Sequence, residues 1–198
     1  MIIDTTTGLL DAARQCPSPN HDERPDGCTP DLIVLHNISL PPYEFGGNWI
    51  DKLFTNQLDP TAHPFFAEIC HLRVASHLLI RRNGEVVQYV PFHKRAFHAG
   101  VSFYRGRERC NDFSIGIELE GTDFVPFTDK QYRQLEVLLP ALIKSYPTLS
   151  FEHITGHEHI APSRKTDPGA FFNWQRLSRI FGVSLPAPPK CCINTTSD

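Results

Sequence analysis

The segment ITGHEHIAPSRKTDPG, residues 154–169, restricts what the chain can fold into more than any other. Gly156, Pro162, Pro168 and Gly169 punctuate it, and a proline neither continues a helix interior nor donates to a strand ladder. The stretch therefore reads as a long ordered loop. Ordering such a loop costs conformational entropy, and in compact domains long loops usually persist because they carry function. This one concentrates His157, Glu158, His159, Arg164, Lys165 and Asp167.

Around the loop, strand and helix patterns alternate. LIVLH, residues 32–36, predicts a buried strand that His36 terminates. DFSIGIELEG predicts another, with Ile115, Ile117 and Leu119 on one side and Gly116, Glu118 and Glu120 on the other, because successive strand side chains alternate. In VASHLLIRRNGEVVQYV, Asn83-Gly84 lies between two strand-like runs and predicts a hairpin with a type I′ turn. Helices are predicted around residues 8–14, after Asn48, from the T-x-x-Q capping box of Thr128 and Gln131, and over FFNWQRLSRIFG with Gly182 at its end. In the third of these, Tyr132, Leu135, Leu139, Leu142 and Tyr146 recur at helical spacing, and Pro140 should kink or interrupt the run. A short strand is expected near residues 151–155. The sum is an α+β fold, a central mixed β-sheet flanked by helices.

A chain of 198 residues suits one core, expected over residues 1–182, with a mobile tail over 183–198. A net charge of -3 gives no reason to propose nucleic acid or an anionic membrane as a partner, and nothing calls for an obligate protein partner. The N-terminal stretch has no basic region followed by an apolar run, and no window is apolar enough to span a bilayer, which favours the cytoplasm. On that reading the six cysteines are thiols rather than three disulfides.

The residues suggest a metal site without singling it out. His36 would project from the carboxyl end of a buried strand, where open sheets usually place their sites. His157 and Asp167 lie on either side of the Pro162 turn. Two imidazoles and a carboxylate, with a fourth position left to water, make a catalytic rather than a structural zinc set. Ten histidines compete for that role, and most histidines are surface or hydrogen-bonded groups. HEHIA is not the helical zinc-protease motif, which needs imidazoles at i and i+4. Glu118 reads equally as a strand residue facing water, Lys165 as a solvated loop lysine, and Arg73 and Arg109 as surface charges. His77 reads as a core or supporting histidine, and His98, in FHAG, as one that lines a pocket.

LIVLHNISLPP, HLRVASHLLIRRNGEVVQYVPFHKRAFHAG, RGRERCNDFSIGIELEGTD and TGHEHIAPSRKTDPG, in that order, resemble the AmpD family of cytoplasmic N-acetylmuramyl-L-alanine amidases, from about residue 16 to residue 181. The family is related to phage lysozyme-type amidases and peptidoglycan-recognition proteins. The resemblance implies one zinc ion per chain on His36, His157 and Asp167. It implies Glu118 as general base, Lys165 as support for the oxyanion, and Asn37, Arg73 and Arg109 as contacts to a small glycopeptide. The substrate so implied is a 1,6-anhydro-muropeptide, cut between N-acetylmuramic acid and L-alanine during murein recycling.

The chemistry is coherent. Zinc held by three protein groups brings the pKa of its water from about 15.7 towards about 7. A positioned carboxylate can take that proton and pass it to the departing amine, and a nearby ammonium can meet charge growing on the carbonyl oxygen. Guanidinium groups match the carboxylates of a stem peptide in bidentate geometry. Phage-type relatives carry a tyrosine in the segment that here reads VASH, and often a cysteine where Asp167 stands, so Ser76 cannot take the tyrosine's role and Glu118 is left as the base. Two rivals remain at this level: a wall-lytic amidase acting on intact peptidoglycan, and a non-catalytic recognition module, although relatives of the latter kind lose a zinc ligand and this chain has all three.

Overall fold

A computed structural model describes residues 1–186; the Cys191-Cys192 pair and most of the expected tail lie outside the described residues. In chain order the strands are β1 (Ile3–Asp4), β2 (Leu9–Leu10), β3 (Arg14–Gln15), β4 (His21–Glu23), β5 (Leu32–Ile38), β6 (Leu78–Ile80), β7 (Val86–Gln88), β8 (Lys94–Ala96), β9 (Phe103–Tyr104), β10 (Arg107–Glu108), β11 (Ser114–Glu120) and β12 (Ile154–Gly156). The helices are α1 (Trp49–Phe54), α2 (Pro64–Ile69), α3 (Asp129–Ser145), α4 (His157–Ile160) and α5 (Trp174–Phe181).

Six strands form the central sheet in the order β12-β5-β11-β6-β7-β3. Pairing is parallel throughout except between β6 and β7, so the sheet is mixed and the expected α+β architecture is the one that forms. Alternation along β5 and β11 sorts their side chains onto two faces. Ile33, Leu35, Ile115, Ile117 and Leu119 pack with Tyr132, Leu135, Leu139 and Leu142 of α3 and with Trp174 and Leu177 of α5. The opposite face is covered in two pieces. Ile50, Leu53, Phe54 and Phe66 of α1 and α2 cover Leu79 and Val87, while Ala99, Cys110, Phe113 and Ile160 cover Leu32 and Val34. His36 and Glu118 belong to that second face by their register, and the cleft opens there.

Helix α3 starts on the predicted capping box, with Thr128 and Gln131 exchanging side-chain and backbone bonds. Buried Gln131 also donates from Nε2 to the carbonyls of Ile80 (3.1 Å) and Glu120 (2.9 Å), which ties the helix start to two strand ends. Each buried leucine of its inner face contributes about 1.5–3 kcal/mol of apolar burial. Helix α5 is capped by Asn173, whose Oδ1 accepts from Arg176 N–H at 2.9 Å, and closes on Gly182 at φ +65°.

Several local expectations need correction. No helix forms over residues 8–14: Gly8 sits at φ +69°, and the Leu10 N–H is taken by Gln88 Oε1 at 2.8 Å, so the segment makes the β1–β2 ribbon and β3 instead. Strand β5 does not end at His36 but continues to Ile38, because β11 runs beside it in register as far as Glu120. The β6–β7 hairpin forms, yet Asn83 does not take the positive φ that a type I′ turn requires; Gly84 alone does, at +90°, and its N–H donates to Arg81 O, the three-residue loop with a left-handed last position. Pro140 does not interrupt α3. Residues 151–153 form a 3₁₀ turn ahead of β12. Leu185 is buried in the main core and its N–H meets Ser178 Oγ.

Among the described residues Cys16, Cys28, Cys70 and Cys110 are free thiols, and no helix is long and apolar enough to cross a membrane.

Candidate active site

Strand β12 pairs with β5 so that Gly156 stands opposite Leu35. The next residue in each strand direction is a histidine, His36 on β5 and His157 at the start of α4, so parallel pairing alone sets the two rings side by side. The Ile154-to-Gly169 stretch is thus a strand, a single helical turn and then a loop, rather than loop throughout.

The returning part of the loop is clamped at three points. Glu158 N–H donates to Asp167 O at 2.8 Å. Pro168 lies so close to Gly156 that a Cβ there would meet its Cδ at 2.7 Å. Asn37 donates both ways from its amide nitrogen, to Pro168 O at 3.1 Å and Asp123 Oδ1 at 2.7 Å. Gly169, at φ +85°, allows the Asp123 backbone to pass where a side chain would stand.

These constraints bring His36 Nδ1, His157 Nδ1 and Asp167 Oδ2 into a triangle with edges of 2.9, 3.0 and 3.0 Å. The ring nitrogens are buried and the carboxylate nearly so. Burial and the neighbouring His157 push the His36 pKa down to about 4. His157 Nε2 faces the Ala99 carbonyl oxygen at 3.0 Å, and a carbonyl only accepts, so the hydrogen is on Nε2 and a lone pair on Nδ1 points into the triangle. Lone pairs and a carboxylate converging at such distances suit a cation: donors about 2.0–2.1 Å from a tetrahedral ion lie roughly 3.3 Å apart. The residues present fit a metal.

Glu118 stands beside this triangle, in register with His36 across β5 and β11. Its Oε2 is enclosed and has no hydrogen-bond partner among the described residues. Burial first, then the charge of Asp167, drives its pKa well above the ordinary carboxylate value, with Lys165 opposing. Glu120, two residues on along the same face, is a contrast. Its carboxylate accepts from the N–H groups of Gly46 (2.6 Å) and Arg82 (3.0 Å) and is fully engaged in holding loops. Alternation predicted both carboxylates on one face, but only the contacts distinguish them.

The triangle and Glu118 lie in a cleft of about 630 Å³, whose wall also includes Asn37, Lys165 and His98 and an apolar arm with Leu40, Tyr43, Phe65 and Phe124. His98 therefore lines the pocket as expected, and His77 is a buried supporting group that accepts from Gly116 N–H at 3.0 Å. Arg73 and Arg109 are not part of the wall: Arg73 is exposed and donates to the carbonyls of Cys70, His71 and Leu72, and Arg109 is exposed and pairs with Asp112. Sequence reasoning missed Asp123 and the Ala99 carbonyl; the latter is a main-chain group and leaves no trace in residue identity.

A mixed sheet carrying two imidazoles, a carboxylate and an unpartnered glutamate in one cleft defines a hydrolase with a candidate metal centre. Comparison with known proteins narrows this. Residues 26–170 match the model of the N-acetylmuramoyl-L-alanine amidase family. The 1,6-anhydro-N-acetylmuramyl-L-alanine amidase AmpD of Escherichia coli (strain K12) is 66% identical over 170 residues, 86% of this chain and 92% of its own. The protein of the same name from Salmonella typhimurium (strain SL1344) is 63% identical over 177 residues, 89% of this chain and 94% of its own. A crystal structure of a selenomethionine AmpD derivative matches with a TM-score of 0.87 at 61% identity, covering 93% of this chain and 100% of that one. The chain belongs to the N-acetylmuramoyl-L-alanine amidase family, and within it to the AmpD group.

Proposed function

We propose that this chain hydrolyses the amide between 1,6-anhydro-N-acetylmuramic acid and L-alanine in small muropeptides, in the recycling of peptidoglycan, with one zinc ion held by His36, His157 and Asp167. The observation that carries this reading is the donor triangle with Glu118 in register beside it. Zinc, when bound, supplies Lewis acidity and an acidified water. The chain's own residues do the rest. Glu118 takes the proton of the attacking water and returns it to the nitrogen of the departing L-alanine, a role for which its raised pKa suits it. Lys165 directs its ammonium towards the carbonyl oxygen as charge collects there. Asn37, its amide nitrogen engaged by Asp123 and Pro168, turns only its Oδ1 to the substrate and accepts from an amide N–H. Arg73 and Arg109, outside the cleft wall, meet the carboxylates of the stem peptide where it leaves the cleft.

Free thiols at Cys16, Cys28, Cys70 and Cys110 support a reducing compartment, and we place the protein in the bacterial cytoplasm. The test is release of L-alanyl peptide from a soluble anhydro-muropeptide by the protein as purified, after chelation, and after zinc is restored. Loss with the metal and recovery with zinc support the reading. Binding of the fragment by zinc-loaded protein without turnover would replace it with a recognition module, and an equal rate on intact sacculi would favour a wall-lytic enzyme.

A further inference from the structure

Both imidazole donors meet the same short segment on their far sides. His36 Nε2 lies 2.9 Å from His98 Nδ1, and His157 Nε2 lies 3.0 Å from the carbonyl oxygen of Ala99. Two consecutive residues of the loop after β8 thus touch the two rings, one through a side chain and the other through the main chain.

The segment is itself fixed. The N–H groups of His98 and Ala99 both donate to Asn111 Oδ1, at 3.1 and 2.8 Å. His98 Nε2 lies 3.2 Å from Ser114 Oγ. Arg164 donates to Ala99 O at 2.7 Å and to Val101 O at 2.8 Å. Gly116 leaves the space in which the His98 ring sits, since a Cβ there would stand 2.5 Å from two of its ring atoms. That accounts for a glycine in the middle of a central strand, where it otherwise weakens the ladder.

The hydrogens follow from these partners. With Nδ1 of His36 facing the triangle as a lone pair, its hydrogen is on Nε2 and donates to His98 Nδ1; His98 then donates from its own Nε2 to Ser114 Oγ. His157 donates from Nε2 to Ala99 O. Each ring is held in the tautomer that turns Nδ1 to the metal, and such outer partners both orient a ligand and raise its basicity.

We propose that the His98-Ala99 pair is the positioning element of the metal centre, fixing the tautomer and direction of both ligand histidines, with Ser114, Asn111 and Gly116 fixing His98 in turn. The inference rests on the reading of His36, His157 and Asp167 as the zinc ligands.

The test compares wild type, His98→Phe and His98→Asn for zinc affinity, by competition with a chromophoric chelator, and for imidazole nitrogen and N–H resonances by NMR. Phenylalanine fills the Gly116 space without an acceptor, whereas asparagine places an oxygen near the position of Nδ1. His98→Phe is expected to bind zinc about 10–100-fold more weakly, and His98→Asn to recover most of that loss. Zinc-loaded wild type should show hydrogen on Nε2 of both His36 and His157, each protected from exchange. Wild-type affinity and unchanged His36 resonances in His98→Phe would overturn the proposal, as would equal losses in both variants. Should His98→Phe not fold, the wild-type spectrum decides, since hydrogen on Nδ1 of His36, or a freely exchanging Nε2–H, contradicts it. A wild type that binds no zinc at all instead removes the ligand reading beneath it.

Discussion

His36 and Glu118 are register partners in neighbouring parallel strands, so one corner of the donor triangle and a carboxylate unpartnered among the described residues rise side by side from the same face of the sheet. No flexible loop separates them. Their relative position is set by the β5–β11 ladder, the kind of rigid support that places reacting groups within a fraction of an ångström.

Glu118→Gln keeps the shape of that carboxylate and removes its ability to carry a proton. Turnover of an anhydro-muropeptide should fall about 10²–10⁴-fold, while zinc content stays that of wild type. Steady-state kinetics alongside metal analysis checks this; a variant with near-normal kcat would transfer the base role elsewhere.

The pH profile follows from the same group. Glu118 must be ionised to accept a proton, and burial together with Asp167 raises its pKa while Lys165 lowers it. Activity should therefore fall as pH drops through a value above the ordinary 4.5 of glutamate. Lys165→Met removes the opposing charge, so the acid limb of kcat/KM should move to higher pH in addition to an overall loss of rate. An unmoved limb would show that the two groups do not interact.

Glu158 offers a separate check in the metal-free protein. Burial, then the charges of Asp167 and Asp123, raises its pKa from 4.5 to about 7. Below pH 4.5 folded and unfolded chains both carry the proton. Between 4.5 and about 7 the unfolded chain ionises while the folded one resists, so wild-type stability declines as pH rises, and above about 7 the difference is constant. Glu158→Gln does not titrate, and its stability advantage should open across that window to on the order of 3 kcal/mol. Denaturant melts at pH 4.5, 6 and 8 measure it; an advantage that is flat with pH contradicts the assignment.

Pro140 lies inside the 17-residue helix α3, where it supplies no N–H to the Glu136 carbonyl. Pro140→Ala restores that donor and should stabilise the protein by about 1–3 kcal/mol, less whatever the proline contributes by restricting the unfolded chain. Thermal and denaturant unfolding of the variant would show it, and a lowered stability would mean that the helix is bent around the proline in a way its packing needs.

Much of this was readable in advance wherever one local rule acted alone. The capping box of Thr128 and Gln131 and the alternation of Ile115 to Glu120 both appear as read, because each depends on neighbours within a few residues. The readings that failed were those a distant partner overrides. Gln88 takes the Leu10 amide and turns a helical-looking stretch into extended chain, and β11 carries β5 past His36. The triangle lay between these cases. Residue types made His36, His157 and Asp167 eligible, family resemblance selected the two histidines from ten and Asp167 with them, and only the β5–β12 register shows why the two rings meet. The support of His157 by Ala99 is carried by a peptide carbonyl and could not have been read at all.

The meeting of β12 with β5 also has a kinetic meaning. It joins positions 121 residues apart, as His36 and His157 also are, and β12 is a three-residue strand at the sheet's edge. Contacts of such sequence separation form slowly, because a long loop must close before anything rewards it. A chain with its central strands and α3 assembled but its edge strand undocked would hold His36 alone and have little hold on a divalent ion. On the zinc-ligand reading proposed above, the ion distinguishes the finished molecule from its near-complete precursors. In a chevron experiment, added zinc should slow the unfolding arm and leave the refolding arm almost unchanged, making the ion a latch on the native state rather than a guide towards it.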